Sequence, residues 1–167
     1  MREPLFNHVG RYFFGCLLFI SAVAKLFDPN GFVSVVASYQ MMPDWAVPPA
    51  SYALVLLEGA LAIWLFSGRK ASLATLCLVC LYVIYCSWVG FAFLDGRRLD
   101  NCGAFGTLFE RPITAGLVVE YLVSLGVAFF LWSATTAYKL RQQLAITPEL
   151  GAIPVDDMKP PPPTGTA

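Results

Sequence analysis

Four long apolar runs, at about 10–27, 48–67, 71–94 and 113–136, dominate this 167-residue chain. Each is long enough to cross a bilayer, which takes roughly 17–25 mostly apolar residues of helix. In hydrocarbon every backbone N–H and C=O must be satisfied within the protein, so uninterrupted runs of this length read as transmembrane helices. Only 13% of residues are charged, against about 25% in a soluble domain. No stretch remains for a separate soluble unit. The fold expected is all-α: a polytopic membrane four-helix bundle over 1–142, followed by a Pro-rich tail, 143–167. The tail carries the run Pro160 to Pro163 and is expected to be disordered.

The partner implied first is the lipid bilayer. Formal net charge is zero, so nothing points to nucleic acid. One His and no cluster of ligands at metal spacing argue against a structural zinc site. Basic residues set the orientation. If the helices alternate, Arg2, Arg11, Arg69, Lys70, Lys139 and Arg141 share one side. Lys25, Arg97, Arg98 and Arg111 share the other, with Asp28, Asp44, Asp95, Asp100 and Glu110. This predicts both termini in the cytoplasm and the 95–112 loop exported. Arg2, Arg11 and Ala22-Val23-Ala24 imitate a cleavable signal peptide. Apolar character nevertheless resumes at Leu26-Phe27, and the first span is expected to be retained.

Between the first two spans, Asp28-Pro29-Asn30-Gly31 reads as a turn. Phe32, Val35, Val36 and Tyr39 then recur at helical spacing, which predicts a short amphipathic helix on the outer surface. Pro48-Pro49 and Pro112 are expected to open the second and fourth spans, where a missing N–H costs nothing.

Lys25, Glu58 and Glu120 are ionisable residues inside spans, where such groups are expensive and need partners. At 1.5 Å per residue both carboxylates lie roughly 12–15 Å deep, and the Lys25 stem can bend towards either. The three are therefore expected to form an intramembrane polar cluster, either a functional site or a structural ion pair. Among five cysteines, Cys16, Cys77, Cys80 and Cys86 sit in apolar surroundings and read as core. Cys102 lies in the polar loop Asp100-Asn101-Cys102-Gly103-Ala104-Phe105-Gly106 and is the candidate reactive thiol, expected to be accessible outside the bilayer.

Taken in order, these landmarks resemble a known family. They are Arg11, Lys25-Leu26-Phe27-Asp28-Pro29, Tyr39, Pro43, Leu57-Glu58 and Cys102-Gly103-Ala104-Phe105-Gly106. The chain is similar over about residues 8–136 to the MauE group of DoxX-like four-helix membrane proteins, named for methylamine utilisation. The resemblance implies a bacterial inner-membrane bundle that helps mature an exported disulfide-rich protein alongside a thioredoxin-like partner. It also implies Asp100, Gly103, Phe105 and Gly106 as loop-motif residues around Cys102. Such proteins carry Cys-Gly-Cys-Phe-Gly in this loop, and here the second cysteine position is Ala104. A dithiol can shuttle two electrons through an internal disulfide and one thiol cannot. The function expected is therefore an assembly helper rather than an enzyme. A quinone-linked thiol oxidoreductase, with quinone as cofactor near Glu58 and Lys25, and a small transporter or lipid-binding bundle are the competing readings.

Overall fold

The computed structural model describes residues 5–97 and 99–151, of which 145–151 as backbone only. Five helices follow one another: α1 (Leu5–Phe27), α2 (Pro29–Ser38), α3 (Val47–Ser67), α4 (Ala71–Leu94) and α5 (Ala115–Gly151). All regular structure among the described residues is helical. The helices α1, α3, α4 and the Ala115–Leu144 part of α5 are long and apolar enough to span a membrane. This is a multi-pass membrane protein. The polyproline run, Arg2 and Arg98 lie outside the described residues, and α5 continues as helix past residue 143, where the tail was expected to start.

Bilayer as solvent explains the surface. Leu56, Ile63 and Leu94 are 72%, 64% and 85% exposed on long apolar helices. Helices that are apolar on all sides belong in a membrane or a large core. Inside, α1 packs mainly on α3 and α4 mainly on α5. The pairs meet over a core that includes Phe14, Leu18, Leu65, Leu78, Tyr82 and Leu131. A three-residue turn, 68–70, joins α3 to α4, with Gly68 at φ 67° closing α3. The two ends of the bundle are called here the turn end and, opposite it, the loop end.

Two local signals act differently from the sequence expectation. Asp28-Pro29 is not a free turn but the start of α2. The Asp28 carboxylate caps the helix by accepting from Gly31 N, and Pro29 fills the first turn. Pro112 precedes α5 by three residues rather than opening it. Cys102 N donates to Arg111 O and Ile113 N to Leu99 O, at 2.8 and 3.1 Å, which holds 111–113 extended. Thr114 then caps α5 by accepting from Leu117 N. The expected amphipathic helix is α2, which buries Phe32 and Val36 against the bundle.

The contrast between core and lipid-facing positions is testable. Leu78→Ala, at a fully buried site, should cost about 2–5 kcal/mol. Leu56→Ala should stay within about 0.5 kcal/mol of wild type, as surface changes do. Melting temperatures in one detergent check both.

Candidate functional site

At the loop end, beneath α2, Lys25 from α1 and Glu58 from α3 form an ion pair with Nζ to Oε1 at 2.5 Å. Lys25 is 2% exposed and Glu58 is 0%. Burying each charge costs several kcal/mol, which close pairing and further hydrogen bonds must offset. The structure supplies those bonds. Lys25 Nζ also donates to Ser21 Oγ at 3.1 Å, one helical turn back on α1. The Tyr85 hydroxyl of α4 donates to Glu58 Oε1. Ser21 Oγ lies 3.0 Å from Glu58 Oε2 and 2.6 Å from the Ala104 carbonyl, so its single hydrogen is shared between helix and loop. The ammonium also lies 5.0 Å from the centroid of the Phe32 ring of α2.

The Cys102 loop is clamped over this pair. Tyr39, at the end of α2, donates its hydroxyl to the Cys102 carbonyl at 2.9 Å, and burial pushes that hydroxyl's pKa up. Arg97 donates to the Tyr39 carbonyl. Thr107 donates to Asp28 Oδ2 at 2.8 Å. With Gly31 N on the other oxygen, these bonds hold the Asp28 carboxyl below the ordinary carboxylate range, the Gly31 bond contributing most. Asn101 braces the loop internally, accepting from Gly103 N and donating to Gly106 O, each at 2.8 Å. Two positions require glycine. Gly106 has φ 62° and a Cβ there would stand 3.2 Å from Lys25 Cα; Gly103 has φ 75° and would meet Val35 at 2.9 Å.

The structure thus brings Lys25 and Glu58 together and sends Glu120 elsewhere. Glu120 pairs bidentately with Arg111, at 3.0 and 2.7 Å, on a face where its side chain is 54% exposed. The pairing raises the Arg111 pKa. Arg111 stands at the loop end of α5, within reach of Glu120, whereas Lys25 is already satisfied in the interior. Glu120 shares only a cleft of about 110 Å³ with Ser21 and Tyr85, both of which touch Glu58. Asp100 is exposed beside the loop, and Phe105 packs edge-to-face on Phe109.

The thiols differ from their expected placement. Cys102 is 8% exposed, packed with Val89 and Leu117 rather than open to water, because hydrogen bonds to Ser21 of α1 and to Asp28 and Tyr39 at the ends of α2 hold its loop down. Cys16 and Cys80 face outward among apolar side chains instead of lying in the core, and Cys77 and Cys86 are half-buried. All five are free. A cavity of about 50 Å³ lies beside the ion pair, lined by Lys25, Tyr39, Trp88, Cys102 and Tyr121 among others. Trp88 Nε1 is buried there without a partner. A carbonyl-bearing cofactor there could accept from the Trp88 indole N–H or the Lys25 ammonium, whereas the Glu58 carboxylate has no proton to donate to it. Among the described residues, no group of three or more His, Cys, Asp or Glu could hold a metal ion. Sequence reading missed Ser21 and Tyr85. The i, i+4 spacing of Ser21 and Lys25 was an available signal; nothing along the chain announces Tyr85, which arrives from another helix.

Residues 3–143 match the family described as Methylamine utilisation protein MauE. The chain belongs to the MauE family. Among its relatives is Methylamine utilization protein MauE of Paracoccus denitrificans, 26% identical over 126 residues, covering 75% of this chain and 68% of that one. Another, of the same name, comes from Methylorubrum extorquens: 28% identity over 144 residues, 82% of this chain and 76% of the relative. No solved structure matches at comparable significance.

Two tests follow for this MauE-family protein. Glu58→Gln leaves Lys25 buried and unpaired and should destabilise by about 3–5 kcal/mol, while Lys25→Met added to it should recover part of the loss, measured by melting in detergent. A folded-state pKa of Asp28 below its unfolded value means that its clamp stabilises above the ordinary carboxylate range, about pH 4, and fades as pH falls through the folded value. Hydrogen exchange at 101–107 should therefore quicken on acidification, relative to the intrinsic rate. In Asp28→Asn it should already be fast at pH 7 and change little with pH.

Proposed function

We propose that this protein is a membrane assembly helper for exported, disulfide-containing proteins, and that it captures a thioredoxin-like or disulfide-rich partner through Cys102. The observation that carries this reading is the clamping of the Cys102 loop over the buried Lys25–Glu58 pair by bonds to Ser21, Asp28 and Tyr39. A loop serving merely as a connection needs no such anchorage to α1 and to both ends of α2. Membership of a family named for methylamine utilisation supports a role in that process.

The chemistry suited to one thiol is capture. The Cys102 thiolate attacks one sulfur of a partner's disulfide, that S–S bond breaks, and a mixed disulfide forms. The displaced sulfur leaves as thiolate and takes up a proton, and a second partner thiol later releases Cys102 by the same exchange. Because Cys102 is buried, the loop or α2 must first shift. The quinone-linked alternative would use the cavity beside Trp88 and Lys25, but Cys102 lacks the neighbouring thiol needed to collect two electrons in an internal disulfide.

In this reading the loop end faces the exported side of a bacterial inner membrane and both termini are cytoplasmic. Residues 1–142 form the membrane domain, and 143–167 are its tail. Non-reducing purification of the tagged protein from its native host should yield a covalent adduct that dithiothreitol releases and Cys102→Ser abolishes. An adduct that persists in Cys102→Ser would overturn the assignment.

A further inference from the structure

The turn end of the bundle carries a second concave site, remote from Cys102. A pocket of about 190 Å³ opens between the α3–α4 turn and α5, lined by Lys70, Ser72, Thr135, Tyr138, Lys139 and Gln142 among others. No acidic residue lines it. Arg69, Lys70, Lys139 and Arg141 all lie at this end, and none makes an ion pair among the described residues. The carboxylates whose side chains are described are at the loop end or, like Glu58, deep in the bundle. Two ammonium groups thus face one pocket with no counter-charge among the described side chains, an arrangement that invites an anion.

We propose that this pocket binds a phosphate-bearing anion, supplied by the headgroup of an anionic phospholipid. Its walls are set before any ligand arrives. Ser72 and Thr136 are hydrogen-bonded at 2.7 Å, and Thr75 and Thr135 at 3.2 Å, tying α4 to α5. Trp64 Nε1 donates to the Arg69 carbonyl at 2.8 Å and fixes the turn, while Gln142 donates to the Tyr138 hydroxyl at 2.8 Å. Binding then has to order only the two exposed lysine side chains, not the frame that carries them. Lysines offer donors and no acceptor, so the guest must present anionic oxygens. The position selects the source. The pocket lies where α4 begins and the spanning part of α5 ends, at headgroup level, with Leu73, Leu140 and Leu144 exposed nearby for acyl chains. Basic pockets between transmembrane helices are suited to such headgroups, and a zwitterionic choline would bring a further positive charge towards the lysines.

The inference stands apart from the Cys102 reading, since no residue is shared. The test uses the detergent-solubilised full chain with phosphatidylglycerol, phosphatidylcholine or inorganic phosphate, read by native mass spectrometry and thermal shift. Wild type should retain phosphatidylglycerol over phosphatidylcholine. Lys70→Gln with Lys139→Gln should bind phosphatidylglycerol on the order of 10-fold more weakly, and Lys70→Arg with Lys139→Arg should keep it. Melting of the Gln double variant in phosphatidylcholine at the wild-type temperature shows that the fold is intact. Equal phosphatidylglycerol binding by wild type and the Gln double variant, or equal binding of the two lipids by wild type, would overturn the proposal. A shift produced by millimolar phosphate but not by phosphatidylglycerol would overturn the lipid as source.

Discussion

Two opposite charges held 2.5 Å apart inside an apolar bundle impose conditions on everything around them. Lys25 and Glu58 could not be buried singly, because an unpaired charge in a low-dielectric interior is far costlier than a paired one. Their union fixes the register of α1 against α3, and Tyr85 and Ser21 add donors that bind α4 and the loop to the same carboxylate. Three segments, α1, α4 and through Ser21 the loop, therefore converge on one side chain of α3.

The loop built over that pair uses backbone as much as side chains. Ala104 touches Ser21 through its carbonyl, so the placement of the loop does not depend on which side chain occupies position 104. The scaffold around Cys102 thus stays assembled with a side chain as small as a methyl at position 104. All five cysteines are free, Cys102 among them. With that thiol buried, solvent reaches it only when the Tyr39 and Asp28 contacts of its loop open.

The two ends of the bundle are electrically unlike. The loop end balances its charges internally, through Asp95 with Arg97 and Arg111 with Glu120. At the turn end, the cations from Arg69 to Lys70 and from Lys139 to Arg141 stand without ion pairs among the described residues. Between them the helices present Leu, Ile and Phe outward, since lipid and not water is the surrounding solvent.

Helix number, approximate span limits, the α2 amphipathic segment and the need of Lys25 for a carboxylate partner were all legible along the chain. Hydrophobic run length, helical periodicity and the expense of charge in hydrocarbon are local properties of sequence. Three matters were not legible: which carboxylate Lys25 would choose, whether Cys102 would be exposed, and where α5 would begin. Glu58 and Glu120 sit at similar apparent depth, and depth says nothing of the azimuth at which a side chain leaves its helix. Only the packing of α1 on α3 points Glu58 inward, while Arg111 holds Glu120 at the surface. Likewise a polar, glycine-rich loop reads as open. Its closure comes from hydrogen bonds to Ser21, Asp28 and Tyr39, which lie 63 to 83 residues away along the chain from their loop partners. Sequence alone determined that this chain lives in a membrane and which charges had to find partners. Tertiary structure decided which partners they found, because pairing depends on helix azimuth and on long-range contacts.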